Sequence, residues 1–64
     1  MKHKIYQIES IDGNHELPEG LWSFEGWHKR KNAEKYMRHN NLSPDEWKIF
    51  KYKESDIEEP TFLD

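Results

Sequence analysis

Hydrophobic and polar positions alternate over residues 2–11, "KHKIYQIESI", with Tyr6 and Ile8 on one side of an extended chain and Ile5 on the other. The pattern predicts a first strand. Asp12-Gly13 follows as a turn signal, because a type I′ hairpin needs positive φ at both central positions and these two residues tolerate it. Residues 14–17 are then expected to pair back briefly, before Pro18 removes a donor and Gly20 loosens the chain.

The period changes in "NAEKYMRHNN", residues 32–41, where Ala33, Tyr36, Met37 and Asn40 recur at i, i+3, i+4 and i+7. That spacing is one face of a helix. Asn40-Asn41 supplies a left-handed residue to close it, and Leu42 the apolar contact that folds back. "SPDE" at 43–46 has the residues of a helix start, with Ser43 as cap and Pro44 in the first helical position. The residues behind it disagree. Trp47, Ile49, Phe50 and Tyr52 scatter around a helical wheel but fit a strand over 47–53, "WKIFKYK", so 43–46 reads as a single turn. Apolar side chains on both faces imply a central strand, or one whose outer face meets a partner.

The fold class expected is α+β: a small sheet of two or three strands, with a hairpin-like start, then the helix, then a strand, covered by that one helix. Residues 1–53 form the compact domain. Residues 54–64, "ESDIEEPTFLD", hold five acids and no base and read as an acidic C-terminal tail carrying Ile57, Phe62 and Leu63.

Composition sharpens this picture in two ways. A 64-residue chain buries only about 60% of the surface its unfolded form exposes, so its stability margin is thin. With 33% hydrophobic and 36% charged residues, its nine aromatics (three each of Trp, Tyr and Phe) must supply most of the core. Cysteine is absent, which excludes a disulfide, a thiol nucleophile and a thiolate zinc site, and makes the cytoplasm the expected compartment. No apolar run exceeds two residues, so neither a signal peptide nor a membrane span is expected.

The stretch "LWSFEGWHKRK", residues 21–31, sets three rings ahead of a basic run. Rings beside cations can stack bases and neutralise phosphates, or they can be core residues entering a helix with a charged outer face. A single straight helix from Phe24 to Asn40 puts Phe24 and Trp27 among Lys31, Lys35 and Arg38, opposite Ala33 and Met37. The chain must therefore turn near Gly26 or His28, with the helix starting at 29–32. Trp22 and Phe24 are expected in the core, and Trp27, at the break, either packs on the sheet with them or stays exposed as an anchor for a protein or a base.

Candidate chemistry is sparse. His3, His15, His28 and His39 never fall at i, i+3 or i, i+4, so no metal site or other cofactor is expected. The serines and Thr61 lie in turn, capping or tail contexts without an elbow or a phosphate loop around them. The carboxylates cluster in loops and the tail, where nothing raises their pKa. These features point away from an enzyme.

Two readings follow. The first is a non-catalytic protein-binding adaptor, inhibitor or regulator acting stoichiometrically on another protein. Its contacts are Trp27, Phe50, Tyr52, Phe62 and Leu63, with the edge of the first strand open to strand addition. Homodimerisation through the outer face of 47–53 is a further way to enlarge a small core. Alternatively, Phe50 and Tyr52 lie under the tail. The second reading is binding of nucleic acid or another polyanion by Lys29, Arg30, Lys31, Lys35 and Arg38, whose bland counterpart is a solvated helix face.

Overall fold

The computed structural model describes residues 3–12, 17–18 and 20–64. Strand β1, Lys4–Ser10, runs through the middle of the molecule. A two-residue strand β2, Glu25–Gly26, the helix α1, Arg30–His39, and strand β3, Trp47–Lys53, follow. A 3-10 turn over Glu54–Asp56 then leads to a second short strand β4, Thr61–Phe62. The helix and β3 fall where periodicity puts them. The hairpin return expected at 14–17 lies largely outside the described residues, and Leu17 is in no strand.

β1 pairs antiparallel with β3 along its whole length, Lys4 opposite Lys53 and Ser10 opposite Trp47. Its other edge meets the chain at Trp27: Tyr6 donates its N–H to Trp27 at 2.9 Å and accepts the Trp27 N–H at 3.0 Å. β2 pairs in parallel with β4, through Thr61 to Phe24 at 2.9 Å and Leu63 to Gly26 at 2.8 Å. Two two-stranded sheets, β3 with β1 and β2 with β4, are thus set side by side by the bridge between Tyr6 and Trp27. β3, expected as a central strand or as one whose outer face meets a partner, is an edge, and β1, expected to offer an edge, has β3 on one side and Trp27 on the other. Residues 54–64, read as a tail, supply β4 and belong to the fold.

The core follows from this arrangement. Ile8, Ile49 and Trp27 meet Leu21 and Ala33, with Tyr6, Tyr36, Met37, Leu42 and Trp47 packed around them. Alternation puts Ile5 on the face of β1 away from α1, yet Ile5 and Ile8 are both fully buried. Each such isoleucine contributes about 1.5–3 kcal/mol relative to an exposed one. β2 approaches β1 so closely that a Cβ on Gly26 would stand 2.5 Å from the Tyr6 carbonyl oxygen and from Ile5 Cγ1. Only glycine fits there.

The helix ends as its asparagines suggest. Asn41 is left-handed at φ 55°, Leu42 donates to the Met37 carbonyl at 2.9 Å and Asn41 to Arg38 at 3.3 Å, the paired bonds of a Schellman closure. Residues 43–46 make the single turn expected, with Trp47 and Glu46 both donating to the Ser43 carbonyl.

Candidate functional site

Trp22 and Phe24, expected in the core, are exposed, and of the two places open to Trp27 the structure takes the core rather than the anchor. Trp27 is 5% exposed and tilts against Tyr36 at 5.1 Å between centroids, so it is a core residue and not an anchor. Trp22 is 64% and Phe24 39% exposed. The bridge to Tyr6 explains both placements, because it fixes Trp27 on β1 and leaves the preceding turn to carry Trp22 and Phe24 outward.

That turn is tightly held. Glu25 donates its N–H to the Trp22 carbonyl at 2.9 Å, and its side-chain Oε1 accepts the Trp22 N–H at 2.9 Å. The buried Gln7 amide donates to the carbonyls of Ser23 and of Glu25, the latter at 3.1 Å, bracketing Phe24 from β1. Leu21 is buried in the core beneath, and its N–H is taken by Pro18 at 3.0 Å. On this base the Trp22 and Phe24 rings stack 6.3 Å apart at 17°. Beside them opens a groove of about 300 Å³ with Leu17, Leu21 and Trp22 in its wall and, among the described residues, the carboxylates of Glu9 and Glu25 and no basic residue. The stacked pair is thus solvent-facing beside a groove of mixed polarity, with Gln7, Ser10 and Ser23 also in its wall.

Sequence reasoning missed the buried Gln7 as the support of this turn and Trp22 and Phe24 as surface rings. A signal was present in the spacing, since Trp22, Phe24 and Gly26 are two apart, but a small chain's need for core material assigned Trp22 and Phe24 to the core.

The other expected contacts lie elsewhere. Phe50 and Tyr52 are half-buried on the face of the sheet away from α1. The Tyr52 hydroxyl donates to Glu9; that hydrogen bond to the carboxylate, burial and the carboxylate's charge push the phenol up to about 12. Phe62 is half-buried and stacks face to face on the His28 ring at 3.7 Å and 10°. Leu63 is 44% exposed.

Asp64 closes the amino end of α1. It accepts the N–H of His28 at 2.8 Å, that of Lys29 at 3.1 Å and the Asn32 amide at 2.8 Å, and its Oδ1 lies 3.0 Å from His28 Nδ1. Burial pushes this carboxyl up, but the hydrogen bonds from the His28 backbone, Asn32, the Lys29 backbone and the His28 ring outweigh it and hold the group well below the usual carboxylate range. No side chain within the helix start makes this cap.

The basic residues Lys29, Arg30, Lys31, Lys35 and Arg38 are all exposed along α1. Of the rings beside that run, Trp27 is buried, the exposed His28 lies against Phe62, and His39 is exposed in the last turn of α1. Among the described residues no group of three or more His, Asp or Glu side chains could hold a metal ion, and no helix is long and apolar enough to cross a membrane. No family model matches this chain, and no curated protein or solved structure matches it.

Proposed function

We propose that the protein is a non-catalytic adaptor that binds another protein stoichiometrically through the turn bearing Trp22 and Phe24. The observation that supports this reading is the ordered exposure of those rings: Trp22 is 64% exposed although Gln7 and Glu25 hydrogen bonds fix the turn beneath it. Two large rings kept in water cost a small domain core material that it needs. A rigid anchor binds with less loss of freedom than one that must order first, which offsets that cost in a complex.

The chemistry of the groove selects the partner. With Glu9 and Glu25 in its wall and no base among the described residues, it suits an aliphatic side chain flanked by lysine or arginine. The same carboxylates repel phosphate, so the aromatic turn is unsuited to stacking nucleobases. The polyanion reading also loses the best place for a phosphate, the amino end of α1, because Asp64 fills it.

A blocked peptide of alternating leucine and lysine, titrated into the full chain, tests the reading. Saturable binding should shift the Trp22 and Phe24 ring resonances and disappear in the folded double variant Trp22→Ala, Phe24→Ala. Binding that the double variant retains, or no binding at all, contradicts it.

A further inference from the structure

The hydrogen-bond phase of the sheet shows which groups β3 turns outward. At the two ends of the ladder Ile11 donates to Glu46 and Glu54 to His3, while Tyr6 spends its own N–H and carbonyl on Trp27, away from β3. Odd positions of β1 therefore bond even positions of β3. Ile49, Lys51 and Lys53 point their N–H and carbonyl groups away from the sheet, where no strand of the described residues lies beside them. This is an unpaired row long enough to template another strand.

Its surroundings carry one sign of charge. Lys48, Lys51 and Lys53 are exposed along β3, which contains no acid; Glu46 and Glu54 stand just beyond its two ends. On the helix side a groove of about 380 Å³ opens next to β3, with Met37, Leu42 and Ile49 in its floor. Among the described residues its basic side chains are Arg30, Arg38 and Lys48, against the single acid Glu34.

We propose that the outer edge of β3 receives an extended acidic segment of a partner protein as an added strand. Main-chain bonds to Ile49, Lys51 and Lys53 supply the attachment, and carboxylates on the added strand pair with Lys48, Lys51 and Lys53. An apolar residue facing Ile49 enters the groove beside Met37 and Leu42. A second copy of this chain is a poorer occupant, because an isologous pairing brings the Lys48, Lys51 and Lys53 edge and its flanking arginines against their own kind. A nucleic acid satisfies the cations but offers nothing to the outward main chain and meets its carbonyls with phosphates. This contact is separate from the aromatic turn and has the opposite charge.

The test is a titration of the isotope-labelled full chain with a blocked peptide of glutamates around a single central valine, a counterpart with lysine in place of each glutamate, and a short oligonucleotide. The acidic peptide should bind saturably, move the amide signals of Ile49, Lys51 and Lys53, and slow their exchange with solvent. Replacing Lys48, Lys51 and Lys53 together by Glu should weaken it by about tenfold or more. Lys51→Pro removes one outward N–H without touching the β1 ladder, and should weaken binding while Lys48 and Lys53 keep their charge. The double variant Trp22→Ala, Phe24→Ala should bind the acidic peptide unchanged. Unmoved amides at Ile49, Lys51 and Lys53 overturn the proposal. So does equal binding of the basic peptide or the oligonucleotide at these amides, or protection of them that grows with protein concentration alone.

Discussion

Asp64 accepts the backbone N–H of His28 at 2.8 Å across a sequence separation of 36, so the amino end of α1 is capped by the last strand's extension. Its carboxyl is held below the ordinary value of 3.8, and the sign of the resulting pH dependence is fixed. The charged form's contacts are fully present above about pH 4, the unfolded value, and are lost as the pH falls toward the lower native one. Asp64→Asn should lower stability near neutrality and flatten the acid limb, read as the denaturation midpoint from pH 6 to pH 2, roughly the range over which carboxylates titrate. An unchanged acid limb in the variant contradicts the cap.

Gly26→Ala places a methyl group 2.5 Å from the Tyr6 carbonyl oxygen. Backbone cannot yield as a side-chain end can, so the change should cost about 1–3 kcal/mol or more. Gly20→Ala is the control for steric crowding, because a Cβ there meets nothing within 4 Å, although its φ of 84° makes it strained for a different reason. Chemical denaturation of the variants measures both. The Tyr6 and Trp27 amides should lose exchange protection only in Gly26→Ala.

These results show what the sequence made legible. α1 and β3 were readable because each is long enough to express a period, and the asparagine pair because only a left-handed residue closes a helix in that way. β4 was not, being two residues long, and neither was the Asp64 cap, whose donors lie more than thirty positions away. The rings were misassigned for a physical reason. Trp22 and Trp27 are the same residue type five positions apart, and a main-chain bridge to Tyr6 decides which of them is buried.

Gln7 is buried and spans from β1 to the Ser23 and Glu25 carbonyls. Gln7→Ala should cost about 1–3 kcal/mol by leaving those carbonyls without their donor. It should also release the aromatic turn, so that basic-peptide affinity falls in the fraction that remains folded. Trp22→Ala removes a ring with little burial and should change stability by only about 0.5 kcal/mol. Equal destabilisation by the two changes would mean that Trp22 packs as core.

The Tyr52 hydroxyl gives up its bond to Glu9 when it ionises. With the phenol pushed up to about 12, this contribution is complete below its ordinary value of 10.0 and is lost as the pH rises through the native one. Ultraviolet titration should show one of the three tyrosines ionising only as the pH approaches 12. Tyr52→Phe should remove that step and make stability less sensitive to alkali. A late step that persists in the variant assigns it to another tyrosine.

The most direct measurement is collisional quenching of tryptophan fluorescence in variants that retain Trp22 alone or Trp27 alone, with and without the leucine and lysine peptide. The account predicts that Trp22 is readily quenched in the free protein and shielded in the complex, while Trp27 is protected in both. A Trp22 already shielded in the free chain, or one left accessible when the peptide is bound, would contradict it.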